Sequence, residues 1–433
     1  MGVTPLLCMM IVNKNPIIQE FFDGLGLKLT PGKDIALKNF VYGLLVNERA
    51  SIKNIAENTI QGQSERQMNR AIHELSAKCD DLLTMNVKKM QEVPGLAIKS
   101  TGVIALDEHI IPKTGKCIEG VDYFHTSSGE KNILGLSMIN THYYGGAVEY
   151  PIDRDIYRRQ QELEKWGKEH LYRPKNEIAR DLIRRYHELG VSCKTWVMDA
   201  YFMTKENVKE LISRGYVYIS KIKRNWSVTF QRMHWNVSDL YASIPEREFE
   251  VVEVINSKTK EKRYFSAAIR DVFVKKIGVH RIVFAKELEK DATGELREKY
   301  RDSWICLVTN MLNESQKTII QTYMKRWTIE TSYRDDTQEL HLAGCMWRNI
   351  EGQYCFISLV FLAYRLLIWA SRLGWFAPYS SQLKTLGKKR EAFKRFHAEL
   401  FGEWITELKN RCKSCQIAKV IYTLIYGVNV HKI

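Results

Sequence analysis

Several common chemistries are missing from this chain. The Gly-Lys dipeptides at 32–33 and 115–116 lack both the upstream glycine spacing and the hydroxyl residue of a phosphate-cradling loop. A nucleotide-driven motor is therefore excluded, and no ATP is expected. Neither H-E-x-x-H nor G-x-S-x-G occurs, which removes the commonest zinc-peptidase and serine-hydrolase arrangements. Nine cysteines are an odd number scattered through 433 residues, a poor basis for a disulfide framework, so reduced thiols in an intracellular compartment are expected. Cys412 and Cys415 form one C-x-x-C without a second ligand pair at zinc-site spacing, and no metal is expected there. With only nine prolines, no low-complexity tract and no internal repeat, disorder is not the default.

A membrane span is lacking too. The most lipid-like stretch, "YCFISLVFLAYRLLIWASRLGWF" (354–376), carries Arg365 and Arg372 in its second half. Its uncharged part falls short of the ~20 residues a bilayer requires, so a buried helix is expected. The start, "MGVTPLLCMMIVNKN", has a short apolar run without a basic segment before it or a small-residue cleavage site, and reads as mature protein. Acidic residues are in deficit: 65 Lys and Arg face 50 Asp and Glu, a net charge of +15. That balance favours nucleic acid or another anionic surface as partner. At 433 residues and 45% hydrophobic content, two or three domains with a large core are affordable.

Along the chain, residues 1–95 read as a helical region. "SERQMNRAIHELSAKCDDLL" has Ser64 as N-cap and Gln67 at the capping-box position. Short helices around "TIQGQ" fit either a helix-turn-helix with Arg66, Asn69 and Arg70 facing DNA or plain helical packing. From 96 to 225 the pattern becomes strand, hairpin, helix, strand, helix, strand. "NILGLSMINTHYY" and "AVEYPID" flank Gly145-Gly146 as an antiparallel hairpin, and a helix enters near Pro174 and stops at Gly190. This order predicts a mixed α/β sheet with helices on both faces. Residues 226–309 read as a β-rich insertion of strands without helix. Residues 310–376 resume as helix, and 377–433 form a tail of C-terminal helices with nine Lys or Arg against four Glu between Lys384 and Lys413.

Three acids stand out by position. Asp107 closes the apolar run "VIALD" and Asp199 closes "WVMD", so each follows a strand interior, where functional groups of open sheets gather. Helix N-cap or buried ion pair is the alternative for either. In "YMKRWTIETSYRDDT", helical spacing puts Tyr323, Arg326, Glu330, Arg334 and Thr337 in one stripe with Trp327 and Tyr333 beside it; a surface ion-pair ladder would look the same. Asp335 and Asp336 read as solvent-facing and lie outside the site. Three carboxylates suit Mg²⁺ or Mn²⁺, hard ions that take oxygen ligands, and two such ions can serve both oxygens of a phosphodiester exchange. "KIKRN" places Lys221, Lys223 and Arg224 at a strand end, as phosphate contacts or as a solvated charge run. Glu108 and His109 flank the first acid as supporting groups or as merely exposed ones.

Strand-Asp, strand-Asp, a β insertion, then Y-x-x-R-x-x-x-E on a helix resembles the DDE transposases of insertion sequences, in the family-four type with the YREK signature. The resemblance runs from about Gly102 to Leu373 and implies an RNase H-like core. It also implies that Asp107, Asp199 and Glu330 form the catalytic, metal-binding triad with two Mg²⁺ or Mn²⁺ ions, and that Tyr323 and Arg326 contact the DNA backbone at the element's end. The signature's last basic residue is replaced by Thr337, so that contact passes to Arg334. A base-stacking Trp in the insertion is implied at Trp304, although four residues rather than three separate it from Thr309, and on a strand a one-residue slip reverses the face; core packing is the alternative. Double-stranded DNA as partner, a homodimer joined through C-terminal helices, and an intracellular, nucleoid-associated location follow from the same resemblance. So do the alternatives of a transposase-derived protein that only binds DNA, or a metal nuclease that never joins strands. If the basic surplus is the DNA-binding surface, fluorescence anisotropy with duplex DNA will show affinity falling with salt at a log–log slope near −0.9 per phosphate neutralised, and a flat response removes that surface from the binding face.

Overall fold

The computed structural model describes residues 15–26, 28–59, 63–125, 132–256, 260–300 and 303–411; the Cys412/Cys415 pair and the end of the basic tail lie outside them. Five helices come first: α1 (Pro16–Asp23), α2 (Pro31–Val46), α3 (Ile52–Glu57), α4 (Glu65–Leu75) and α5 (Cys79–Glu92). Their starts follow local chemistry. Asn15 Oδ1 accepts the N–H groups of Ile17 and Ile18 at 3.0 and 3.2 Å, with Pro16 in the first turn. Ser64 and Gln67 close the expected capping box, Ser64 N donating to Gln67 Oε1 at 2.9 Å. Gly43 lets α2 meet α3, since a Cβ there would lie 2.6 Å from Ile55 Cγ1.

The sheet follows with β1 (Val103–Pro112), β2 (Asp122–Phe124), β3 (Ile133–Tyr144) and β4 (Glu149–Tyr157). Then come α6 (Gln160–Lys165), α7 (Lys175–Glu188), β5 (Thr195–Met198), α8 (Lys205–Ser213) and β6 (Val217–Lys221). β3 and β4 form the expected hairpin, turning at Gly146 with φ of 85°. Pro174 caps α7, and Gly190, at φ of 66°, ends it. β1 lies antiparallel to β3 and parallel to β5, and β5 runs parallel to β6, so the core order is β4-β3-β1-β5-β6. This is an RNase H-like mixed sheet. Neighbouring residues of β1 show its two covered faces: Glu108 meets Lys175 of α7, whereas Asp107 meets Arg326, the residue just before α11 (Trp327–Gln338), from the opposite side.

The β-rich stretch contains β7 (Ser227–Phe230), β8 (Met233–Asn236), β9 (Glu250–Ile255), β10 (Lys262–Val274), β11 (Gly278–Lys290), β12 (Leu296–Glu298) and β13 (Ile305–Thr309). A short helix, α9 (Val237–Ala242), interrupts it where strands alone were expected; six residues are too few for a helical period to show. The stretch continues the core sheet, because β13 pairs with β6 on one side and β11 on the other. After β13 come α10 (Gln316–Met324), α11, α12 (Ile350–Arg372) and α13 (Leu386–Arg411).

Among the described residues α12 is the one helix apolar and long enough to cross a membrane, yet it is buried inside the fold, as the interrupting arginines suggested. Arg365 is fully buried and donates to Pro151 O, Leu83 O, Asn86 Oδ1 and Ile152 O at 2.8, 3.0, 3.1 and 2.5 Å. It thereby ties α12 to α5 and β4. Burial lowers its pKa to about 10, so it remains a cation, held by carbonyl dipoles. Replacing Arg365 by Met leaves those acceptors unpaired, and urea unfolding should show a loss of about 3 kcal/mol. The exposed Arg372, with one bond to Pro94 O at 2.9 Å, should cost less than about 1 kcal/mol when changed to Met.

Candidate active site

Parallel pairing puts the first two acids side by side. Leu106 of β1 is in register with Met198 of β5, so Asp107 and Asp199, the next residues, stand at one level where the β1–β5 pairing ends; Asp107 lies in the middle of β1, which continues to Pro112 against β3, and not at the strand's end as its apolar run suggested. Adjacent strands lie ~4.8 Å apart. Met198 in turn pairs with Ser220, which brings Lys221 to the same level. The turn after β5 is pinned through the main chain of Asp199, whose carbonyl accepts Phe202 N at 3.1 Å and Ser220 Oγ at 3.2 Å.

The third acid arrives from α11. Tyr323, Arg326 and Glu330 were read as one unbroken helix stripe, but the α-helix is interrupted there: α10 ends at Met324 and α11 starts at Trp327, with Lys325 and Arg326 between them in right-handed turns that still set Arg326 one turn before Glu330. Arg326 sits in the break with its side chain only 12% exposed. One guanidinium nitrogen contacts Asp107 Oδ2 and the other reaches Glu330 Oε1 at 2.5 Å. A single cation thus bridges two of the three acids. Burial pushes the Asp107 carboxyl up to about 7 against the pull of Arg326, and the charges of Asp199 and Glu330 push the same way. All three acids therefore share one electrostatic neighbourhood. Among the described residues, no three His, Cys, Asp or Glu side chains stand close enough to hold one ion; between Asp107 and Glu330 stands a guanidinium. The carboxylates of Asp107, Asp199 and Glu330 are hard oxygen donors, the type that suits Mg²⁺ or Mn²⁺.

The supporting residues lie on the same face of β1. His109 stacks on Tyr333 of α11, with ring centroids 4.3 Å apart, and Tyr333 Oη donates to Asn140 Oδ1 at 2.5 Å. Asn140 is the partner of Asp107 across the β1–β3 pairing, the one signal by which the hairpin could have indicated it. Glu108 points the other way, accepting from Ser137 Oγ at 2.6 Å and pairing with Lys175 Nζ at 2.5 Å. Lys175 also lies 4.9 Å from the ring centre of Tyr157 and 5.4 Å from that of Tyr201, a cationic pocket that the sequence reading missed.

The remaining sequence-selected residues divide. Tyr323 is buried, its ring centre 5.9 Å from the Arg326 guanidinium carbon, and burial raises its pKa, keeping the hydroxyl protonated. Arg334, Lys223 and Arg224 are exposed, the last two just past the strand end that carries Lys221. Trp304 is stacked at 4.2 Å on Tyr241 and lies 4.3 Å from the Arg224 guanidinium; the packed role foreseen as its alternative is the one the contacts display. Trp327, at 66% exposed, is the open aromatic beside the site. Asp336, read as solvent-facing, is fully buried instead, and neither of its carboxyl oxygens has a hydrogen-bond partner among the described residues. Burial raises its pKa well above the carboxylate range, so it is held neutral. In the helical region, Arg66, Asn69 and Arg70 are exposed on α4, with Asn69 Oδ1 accepting from Trp347 Nε1 at 2.9 Å and Arg70 paired to Glu74.

Two family models match overlapping parts of the chain. "DDE superfamily endonuclease" covers residues 26–239 and "Transposase DDE domain" covers 173–366. Together they support a DDE-type nuclease or transposase; they do not distinguish the family-four YREK type. No curated protein matches. Among solved structures, the NurA nuclease from Sulfolobus solfataricus aligns over 65% of this chain and 84% of its own at 11% identity with a TM-score of 0.25, too low to carry an argument.

His109 provides a pH test of this packing. Burial lowers its pKa from 6.5 to about 4, and its Nε2 is buried without a partner among the described residues. The unfolded chain binds the proton more readily, so the stability this neutral ring contributes is complete above pH 6.5 and is lost as pH falls toward 4. His109→Phe keeps the stack and removes the titration. Its unfolding free energy should lose about 3 kcal/mol less than the parent's between pH 7 and pH 4; equal acid slopes would place His109 in contact with water.

Proposed function

We propose that this DDE-type chain is a transposase of the family-four YREK type, which cuts DNA at the ends of an insertion sequence and joins the freed 3′-hydroxyl to target DNA. What supports this reading is that Arg326 bridges Asp107 and Glu330 while the β1–β5 register sets Asp199 beside Asp107. Asp107, Asp199 and Glu330 are the catalytic residues, and they would hold two Mg²⁺ or Mn²⁺ ions. Once bound, such ions supply Lewis acidity at the attacking and leaving oxygens of a phosphodiester. Exchanging one phosphodiester for another is close to neutral in energy, which agrees with the missing nucleotide loop.

The chain's other groups hold the strand. Arg326 offers a planar fork that matches a phosphate. Lys223, Arg224 and Arg334 extend the cationic edge, and Tyr323, whose hydroxyl is buried, would reach the strand only once uncovered. Arg334 supplies the positive charge that Thr337 does not carry. Trp304 would serve a flipped base only after Tyr241 or Arg224 left its faces. The helices of residues 1–95 would bind the element's terminal sequence and the C-terminal helices would pair two protomers, so that two ends are processed together inside the cell.

With Mg²⁺ and duplex DNA taken from the sequence flanking the gene, the protein should nick the element's ends and transfer a pre-cut 3′-hydroxyl end. Asp107→Ala, Asp199→Ala and Glu330→Gln should each reduce cleavage by at least ~10³-fold while gel-shift affinity for the same duplex changes little. Cleavage without joining would reduce the reading to a nuclease. Undiminished cleavage by any of the three variants would remove that residue from the mechanism.

A further inference from the structure

Resting on the metal-dependent reading above, we infer that Arg326 is an exchangeable occupant of the ion site: it neutralises Asp107 and Glu330 while divalent ions are absent, and must leave them for the ions to bind. Three observations lead there. First, the guanidinium uses separate nitrogens for Asp107 and Glu330, so it takes up one carboxylate oxygen from each of two ligands at once. Second, no three carboxylates among the described residues are near enough to share an ion in this arrangement, whereas the donor types suit one. The chelating geometry and the arginine bridge are therefore alternatives. Third, Arg326 is held by the junction between α10 and α11 rather than by a helix interior. Turning its long side chain to another rotamer breaks no backbone hydrogen bond.

Charge decides where it goes. A guanidinium beside bound divalent cations is repelled, and an adjacent phosphodiester is the anion able to receive its bidentate fork. Arg326 thus links the two loading events. A phosphate that captures it uncovers Asp107 and Glu330, and ions that displace it release a cation to the strand. Each ligand raises the affinity for the other, as reciprocal coupling requires. This makes Arg326 a positioning residue in the free protein and a strand contact in the loaded one.

Mn²⁺ binding to the full-length protein without DNA separates this inference from the function it rests on. Free Mn²⁺ is measured by electron paramagnetic resonance, with quenching of the neighbouring exposed Trp327 as a second reporter. Arg326→Gln should bind Mn²⁺ at least tenfold more tightly than the parent. Arg326→Lys keeps the charge but has one nitrogen on a shorter stem in place of the planar fork, and should fall between them. Mn²⁺ affinity that is unchanged or weaker in Arg326→Gln overturns the exchange. Asp107→Asn should abolish the tight site in either background; if it does not, the ions bind elsewhere and the proposed metal chemistry itself fails.

Discussion

The bridge from Arg326 to Asp107 and Glu330 is the constraint around which the rest of this edge is arranged. Three acids on neighbouring elements repel one another, and partial burial sharpens that repulsion. One cation in the break between α10 and α11 relieves two of them. Layers of support hold the bridge in place: His109 and Tyr333 stack beneath it, Asn140 anchors Tyr333, and Glu108 is kept on the opposite face by Lys175 and Ser137. A sheet edge built this way tolerates concentrated negative charge only while some cation is present.

Much of this was legible because strand chemistry is local. An apolar run that ends abruptly in Asp marks both the strand and the place where its carboxylate emerges, and two such runs in parallel give the Leu106–Met198 register. Glu330 was legible from its helical spacing to Arg326. What failed depends on tertiary packing. Nothing in "YMKRWTIE" announces the break at Lys325-Arg326, since neither proline nor glycine occurs there. Adjacent aspartates look like a solvated pair, yet Asp336 turns inward because α11 is covered on more than one side. The two arginines of the lipid-like stretch argued correctly for burial within protein, but the carbonyls that receive Arg365 come from α5 and β4, hundreds of residues away in sequence.

The insertion shows how position and role can separate. Trp304 lies near the expected place, but the Tyr241 ring and the Arg224 guanidinium pack against it. Arg224 meanwhile donates to Trp304 O at 3.3 Å, so a cation read as a phosphate contact also braces the strand entrance of β13. Trp327, beside the bridging arginine, is by contrast 66% exposed.

β13 is the way back from the insertion to the core, hydrogen-bonded on both sides between β6 and β11 before it hands the chain to α10 and α11. The helix that carries Glu330 is thus suspended from a strand whose outer neighbour belongs to the insertion. Shortening that excursion is not a trimming of decoration. A chain without β11 would leave β13 as a five-residue outer strand paired on one side alone, and the mount of the third acid would loosen without any change to the acid itself.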